Sequence, residues 1–557
     1  MASDAAPTDP RGMMARLPGW AALVCAAAGG FLLDVASPDL AWWWAAFPGA
    51  VLILAAVWQQ RWGIGLAAGA AAGAAFWMPH ISWLTLYLGP IPWLGLCAVM
   101  ILWFALFGVA AAVATRGLVR VFGRGRPGLS AGVLPLVLAQ SLAVAGLWVL
   151  RESVQGAWPY GGFAWGRLAH TQAEGPLLQA VSWFGFAGLS GILALACALP
   201  VSAAFARTGD GRARRARSTA VVSAAVVSAA MILLLALVPA AGLERSGTLR
   251  IAAVQGNSKS GIFDDRESGS VLEDHVEATS ALLDRLEDEG DAVDLIVWPE
   301  NSAEFDLPGS PLGQYRVAKL SERAEAPIVI GSVLPNDDGS YTNSSLVWGA
   351  DGPLPGRYDK RYPVPFAEYM PNRDFFHAIV PDLVDLVQLE YAAGTRPAAL
   401  DIETPGGAVR VGIAICFDII FDTQAEAMVD GGAELILAQT NNADFGRTDE
   451  SAQQLAIARL RAVETGRALV NISTVGTSAV VAPDGGDLDR LVPHTAGAMV
   501  AEVPLVDGET PALRFGAAIA AGWFLLGGLG LAGGVTGSAW ARYGARGGSA
   551  RPTPDRV

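Results

Sequence analysis

Before residue 243 the chain is a succession of long apolar runs separated by short polar connections. Seven runs stand near Gly19 to Asp34, Leu40 to Trp58, Trp62 to Trp83, Ile91 to Thr115, Val133 to Leu150, Pro176 to Ala206 and Thr219 to Ala241, and an eighth near Phe515 to Gly534. About 20 mainly apolar residues cross the hydrocarbon core of a bilayer as a helix, so each run is expected to be a span. Between Thr248 and Val503 the pattern changes. The runs LRIAAVQ, DLIVWPE, PIVIGSVL, SSLVWGADG, VRVGIAIC, ELILAQT, LVNIST and SAVVAPDGG predict strands. The stretches Val271 to Glu289, Leu312 to Ala324, Phe421 to Asp430 and Ala452 to Arg467 predict helices. Such alternation implies sheets covered by helices. The expected organisation is a polytopic α-helical membrane body over residues 1–243, an α/β domain over 244–512, and a final span with its tail over 513–557.

Charge divides along the same boundaries. The chain has 557 residues, 18 tryptophans and a mean hydropathy of +0.39, too apolar for an ordinary soluble protein. Residues 244–512 carry 19 Lys plus Arg against 44 Asp plus Glu, a net −25, while the membrane portions carry +11. Nothing clusters positive charge as nucleic-acid binding would require, so no nucleic acid is expected as a partner. Arginine sets the orientation, because short loops rich in Lys and Arg stay in the cytoplasm. Arg11 and Arg16 precede the first run, Arg61 follows the second, Arg116, Arg120, Arg124 and Arg126 follow the fourth, and Arg207, Arg212, Arg214, Arg215 and Arg217 follow the sixth. Arg542, Arg546, Arg551 and Arg556 follow the eighth, and only Arg151 and Arg167 break the pattern. Seven crossings from a cytoplasmic start place the acidic domain outside a cell membrane. LVCAAAGG around Cys25 also resembles a signal-peptide end, but FLLDVASPDL leads straight into another apolar run. Trp42, Trp43 and Trp44 fit an interfacial aromatic belt.

Four cysteines are present, and Cys25, Cys97 and Cys197 lie in apolar runs. Cys416 is therefore alone in its domain, without a disulfide partner, which points to reactivity. Histidines 80, 170, 275, 377 and 494 form no metal-ligand spacing, and no metal or cofactor is expected. Glu300 closes DLIVWPE, Lys360 follows a strand and turn, and Cys416 closes VRVGIAIC. Strand ends converge on one rim of a sheet, where sites of α/β folds gather. Lysine occurs only at 259, 319 and 360, and a compact ammonium suits a place beside a nucleophile. Read singly, Cys416 is a small buried hydrophobe, Glu300 a helix-start or surface acid, and Lys360 a solvated charge.

WPE, YDK within YDKRYPVPFAEYMP, and ICFD resemble the Glu-Lys-Cys signature of the nitrilase (carbon–nitrogen hydrolase) superfamily. With seven preceding spans, one following span and the string VPFAEYMP, the chain resembles one branch, the bacterial apolipoprotein N-acyltransferases. The resemblance implies an αββα sandwich, Cys416 as acyl carrier, Glu300 as base and Lys360 with the Phe417 N–H as oxyanion donors. It implies a membrane phospholipid as acyl donor and the α-amino group of a diacylglyceryl lipoprotein as acceptor. Glu368, eight residues after Lys360, matches a second family glutamate expected to orient Lys360 or move a proton, and a monomer is expected. Phe417 and Asp418 stand where Tyr-Glu is common, Asp444 where an aromatic is common, and Phe263 near an expected tryptophan. Asp418 reads either as part of the site or as a cap of the next helix. Two other functions share much of this pattern: a membrane-anchored amidohydrolase that passes its thioester to water, and a non-catalytic lipoprotein-binding factor. FFHAIVPDLVDLVQLEY, residues 375–391, reads as a core helix or as a mobile arm bounded by Pro381 and Gly394 that rests on lipid. A periplasm-active reporter fused near Gly339 is expected to be active, and activity of a cytoplasm-only reporter there would reverse the orientation.

Overall fold

The computed structural model describes residues 16–122, 133–206, 213–261, 264–265 and 267–547. Phe263, Arg11, Arg124, Arg126, Arg207, Arg212, Arg551 and Arg556 lie outside the described residues, as do the side chains of Arg214, Arg215, Arg217, Arg542 and Arg546. Helices form at all the expected spans: α1 (Gly19–Ala36), α2 (Ala46–Val57), α3 (Trp62–His80), the short α4 (Leu84–Leu88), α5 (Pro90–Phe122), α6 (Val133–Gln155), α7 (Val181–Phe205), α8 (Ala213–Ala236) and a final helix over Pro511–Gly547. Six are long and apolar enough to cross a membrane by length and composition: α1, α5, α6, α7, α8 and the final helix.

The second and third runs depart from that expectation. α2 has 12 residues: a 3-10 turn over Trp43–Ala45 precedes it and it ends where Trp58 turns extended, with Ala41 and Gln59 on either side both at φ +52°. α3 is rich in Gly and Ala and gives up hydropathy for close packing. A β-carbon at Gly69 would collide with the Phe104 carbonyl of α5, and one at Gly108 with the Gly65 carbonyl of α3. One end of the bundle carries the α/β domain. There Gln453 donates to the His80 carbonyl (3.0 Å) and accepts from the indoles of Trp83 (3.2 Å) and Trp165 (2.7 Å). At the other end Arg16, Arg61 and Arg120 lie within electrostatic reach of Arg116, and Arg120 bonds Ser538 of the final helix (2.9 Å).

The inserted domain runs β1 (Glu244–Gln255), α9 (Ser270–Glu289), β2 (Leu295–Val297), α10 (Pro311–Ala324), β3 (Ile328–Pro335), β4 (Tyr341–Gly349), β5 (Gly352–Asp359), α11 (Arg373–His377), α12 (Pro381–Val384), β6 (Ala399–Thr404) and β7 (Gly407–Ile415). It continues through α13 (Asp422–Asp430), β8 (Leu435–Thr440), α14 (Glu450–Thr465), β9 (Leu469–Ser473), β10 (Ala479–Val481), β11 (Asp487–Arg490) and β12 (Gly497–Asp507) into the final helix, α15. Two six-stranded sheets form, ordered β12-β1-β2-β3-β4-β5 and β11-β10-β9-β8-β7-β6. They stack face to face, with α9 and α10 outside the first and α13 and α14 outside the second. Alternation along β1 and β2 accounts for the layering: Ile251, Ala253, Leu295 and Val297 join the core between the sheets, while Ala252, Val254, Ile296 and Trp298 pack with α9 and α10. The result is the expected αββα sandwich.

The 375–391 segment forms no core helix. It folds as α11 and α12, with Pro381 opening the second helix instead of breaking the first. Met370, Val384 and Val387 make a small core of their own with Phe366, Phe376 and Val380. Phe375 and Ile379 remain 60% and 61% exposed. Tyr160, in the connection after α6, meets Phe366 and Phe376 edge-on at 5.5 and 6.3 Å. Gly394 is no hinge, contrary to expectation. Its N–H bonds the Lys360 carbonyl (2.8 Å), and a β-carbon there would run into the Asp359 backbone. Val384→Ser, which puts a hydroxyl into the arm's own core, is expected to speed limited proteolysis within residues 366–391 several-fold. Phe375→Ser with Ile379→Ser should leave that rate and the unfolding temperature unchanged, and equal damage from both would mean that the exposed face packs against protein.

Candidate active site

The site is assembled where β2, β5 and β7 end. Cys416 follows β7 directly at φ +49°, a left-handed conformation costly for a side chain with a β-carbon, and it opens a short 3-10 turn over Cys416–Ile420. Asp418 holds that turn. Its carboxylate accepts from the Ile415 N–H (3.1 Å), the Tyr358 hydroxyl (2.8 Å) and the Tyr362 N–H (2.8 Å), tying the cysteine turn to the segment that carries Lys360. Burial pushes the Asp418 carboxyl up to about 6, against the pull of Lys360 and these donors. Asp418 is therefore a brace of the turn; the next helix begins only at Asp422.

Lys360 follows β5, and its N–H bonds the Asn343 carbonyl (2.8 Å). The ammonium is 2% exposed and lies 2.9 Å from Glu300 and 2.9 Å from Glu368. Burial alone would lower its pKa, but Glu300 and Glu368 outweigh burial and hold it well above the ordinary lysine range. Glu300 sits three residues beyond the end of β2, where a turn begins, and also accepts from the Asn343 amide (2.6 Å). Burial raises its carboxyl above the usual range although Lys360 and Asn343 oppose this, so the group is a stronger base than an exposed glutamate. Glu368 completes the enclosure, accepting from the Val364 N–H (2.6 Å) and from Asn343 (3.2 Å).

A second set of groups, missed in the sequence reading, meets Cys416 from α14. Gln454 donates from its amide to the Cys416 sulfur at 3.5 Å. Asn442 fixes which way that amide points by donating to the Gln454 carbonyl oxygen (2.8 Å), and donates as well to Glu450 (2.8 Å). Burial pushes Glu450 up to about 8, so it carries its proton at neutral pH. The Cys416 thiol is held well above its usual range, first by burial and then by Glu300, with Lys360 and Gln454 opposing. The resting nucleophile is thus a thiol, and it needs a base to become a thiolate. Neither Asn343 nor Gln454 stands out in the sequence: Asn343 lies among Thr342, Ser344 and Ser345, and Gln454 beside Gln453.

The turn is also gripped from below. Arg461 of α14, fully buried, donates to the Ile419 (3.0 Å) and Ile420 (2.9 Å) carbonyls and to Asp422 (2.6 Å), and pairs with Glu464. Arg167, from the membrane body, reaches both oxygens of Asp422 at 2.9 and 2.8 Å. Burial would raise Asp422, but the two guanidiniums hold it well below the carboxylate range. At the residues that follow Cys416 opens a cavity of about 310 Å³, lined from the membrane body by Tyr160 and Gly161 and from the α/β domain by residues including Arg361, Phe417 and Phe421. Phe417 stacks toward Phe163 of the membrane body at 6.2 Å. Asp444 is partly exposed in the 3-10 turn Ala443–Phe445, whose Phe445 packs on Trp83. Among the described residues no group of His, Cys, Asp and Glu is arranged to hold a metal.

Comparison with known proteins matches both parts of the chain. A family model described as the apolipoprotein N-acyltransferase N-terminal domain covers residues 29–199, and one described as carbon–nitrogen hydrolase covers residues 250–510. A protein of Mycolicibacterium smegmatis named apolipoprotein N-acyltransferase is 32% identical over 520 residues, covering 89% of this chain and 82% of that one. Proteins of the same name from Geobacter metallireducens and Pseudomonas putida are 30% identical over 468 residues (80% of this chain, 81% of that one) and 27% identical over 532 (92% and 98%). Among solved structures, an amidase of the nitrilase superfamily from Nesterenkonia AN1 aligns at 18% identity and TM-score 0.37, covering 50% of this chain and 99% of that one.

Gln454→Leu is expected to shift the midpoint of the pH profile for iodoacetamide alkylation of Cys416 upward by about one unit, because loss of a hydrogen bond to the thiolate leaves the charged form less stabilised. Gln454→His, which keeps an N–H donor, should lie nearer to wild type. Identical midpoints in all three proteins would mean that Gln454 touches the sulfur without acting on it.

Proposed function

Because the chain belongs to the apolipoprotein N-acyltransferase family, we propose that it moves a fatty acyl chain from a membrane phospholipid, through a Cys416 thioester, to the α-amino group of the N-terminal diacylglyceryl-cysteine of a lipoprotein. Glu300 takes the thiol proton, and the thiolate attacks the ester carbonyl carbon. The oxygen that becomes negative meets the Lys360 ammonium and the Phe417 N–H. The ester C–O bond breaks, the proton on Glu300 passes to the glycerol oxygen, and a lysophospholipid leaves. The lipoprotein amine then attacks the thioester carbon and gives its extra proton to Glu300. The C–S bond breaks and the thiol is restored. Glu368 and Asn343 keep the ammonium aimed throughout, and Asp418 keeps the turn in place.

The observation that carries this reading is the cavity at the residues next to Cys416 and Lys360. It has one wall from the membrane body and one from the α/β domain. A site serving small soluble amides has no need of that wall, whereas two lipid-anchored substrates must be met at the membrane surface. The aromatic enclosure by Phe163, Phe417 and Phe421 supports the survival of a thioester, since water is kept from the carbonyl. The gathering of Arg16, Arg61, Arg116 and Arg120 at the end of the bundle away from the α/β domain supports a cytoplasmic position for that end and an extracytoplasmic one for the site.

Incubation of the purified protein with phospholipid and a synthetic diacylglyceryl lipopeptide is expected to yield the N-acylated lipopeptide and lysophospholipid in equal amounts. Steady release of free fatty acid with no amide formed would instead make the protein a hydrolase.

A further inference from the structure

The cavity at the residues that follow Cys416 is lined mainly by tyrosine, phenylalanine and proline, and no carboxylate lines it. Its one charged lining residue is Arg361, the residue after Lys360. In a domain of net charge −25 the nearby arginines are paired: Arg357 and Arg396 with Asp359, and Arg373 with Glu390. Among the described residues Arg361 has no carboxylate partner and makes only a long bond of 3.4 Å to the Arg396 carbonyl. Tyr160, Tyr369 and Tyr391 line the same space. Burial raises Tyr369 and Tyr391 above the usual phenol range, so both keep their protons and remain donors.

We propose that this cavity binds the phosphodiester of the phospholipid donor, with Arg361 as its counter-ion and tyrosine hydroxyls as further donors, an assignment that rests on the acyl-transfer reading of Cys416. A glycerophospholipid carries its phosphate one glycerol unit from the ester that reacts. With that ester at Cys416, the phosphate lies one glycerol unit away, and the cavity that holds Arg361 is lined also by Phe417, the residue next to Cys416. A guanidinium matches two phosphate oxygens at once and gains strength in a space partly screened from water. It also offsets locally the repulsion that the acidic domain exerts on an anionic lipid. Arg361 would in this way select phospholipids over uncharged acyl esters in the same membrane, such as diacylglycerol.

The test measures acylation of Cys416 in a single turnover before any acceptor is added, in wild type, Arg361→Gln and Arg361→Lys. The donors are phosphatidylglycerol and the same lipid methylated on phosphate to a neutral triester. Wild type is expected to prefer the diester by roughly tenfold or more, the worth of a hydrogen bond to a charged group. Arg361→Gln should lose that preference and Arg361→Lys should keep part of it. Because the preference is a ratio within one protein, a lower folded fraction cancels. Retention of the full preference by Arg361→Gln would overturn the proposal, as would an undiminished preference accompanied by weaker use of lipopeptide in the second half-reaction, which would make the cavity a peptide site. Failure of every ester to acylate wild-type Cys416 would overturn the acyl-transfer reading beneath it.

Discussion

Keeping one ammonium dry is the constraint on which the site depends. Removing Lys360 from water costs several kcal/mol, and the cost is recovered only where opposite charge and hydrogen bonds meet the ammonium. Glu300 and Glu368 supply the charge, and Asn343 bonds both carboxylates while its carbonyl holds the Lys360 backbone. Three strands must therefore meet at one rim, because the turn after β2 brings Glu300, the start of β4 brings Asn343 and the end of β5 brings Lys360. One sheet carries all three and provides that register. The same enclosure sets the chemistry: burial keeps the thiol protonated and makes Glu300 basic, so the proton transfer that starts the reaction takes place between groups whose affinities were adjusted by one act of burial.

The membrane body is joined to this machinery and does more than anchor it. Arg167 and Arg461 share Asp422, and Arg461 also holds the carbonyls of Ile419 and Ile420 at the end of the cysteine turn. Both guanidiniums lie over the ring of Phe186 from α7, at 5.5 and 4.1 Å. A buried charge cluster is costly to open, so the turn that carries Cys416 is fixed relative to the bundle as well as to its own sheet. A lipid entering from the bilayer then meets a nucleophile whose distance from the membrane is set by side chains and not by a flexible linker.

Much of this was legible in the sequence, and the omissions have a pattern. The strands inferred from apolar runs were β1 to β4 and β7 to β10, all interior to their sheets, whereas β5, β6, β11 and β12, the four edges, were not recognised. An edge strand pairs on one side only and tolerates proline and charge, as in GPLPGRYD and DLDR, so it loses the apolar signature. Glu300, Lys360, Glu368 and Cys416 could be found because each stands at a strand end or in a recognisable string. Asn343, Gln454 and Glu450 could not: they are ordinary polar residues until folding buries them, and Glu450 lies before the helix start inferred at Ala452. α2 was misjudged in length because hydropathy runs on through Leu40 to Trp58 while the backbone turns at Ala41.

The central claim is that Cys416 carries the acyl group between two membrane substrates. Intact-protein and peptide mass spectrometry of protein purified with its native lipids tests it most directly. The account predicts a fatty acyl adduct on the peptide containing Cys416, sensitive to hydroxylamine and absent from Cys416→Ala. An adduct on Cys25, Cys97 or Cys197 instead, or amide formation by Cys416→Ala at the wild-type rate, would contradict it.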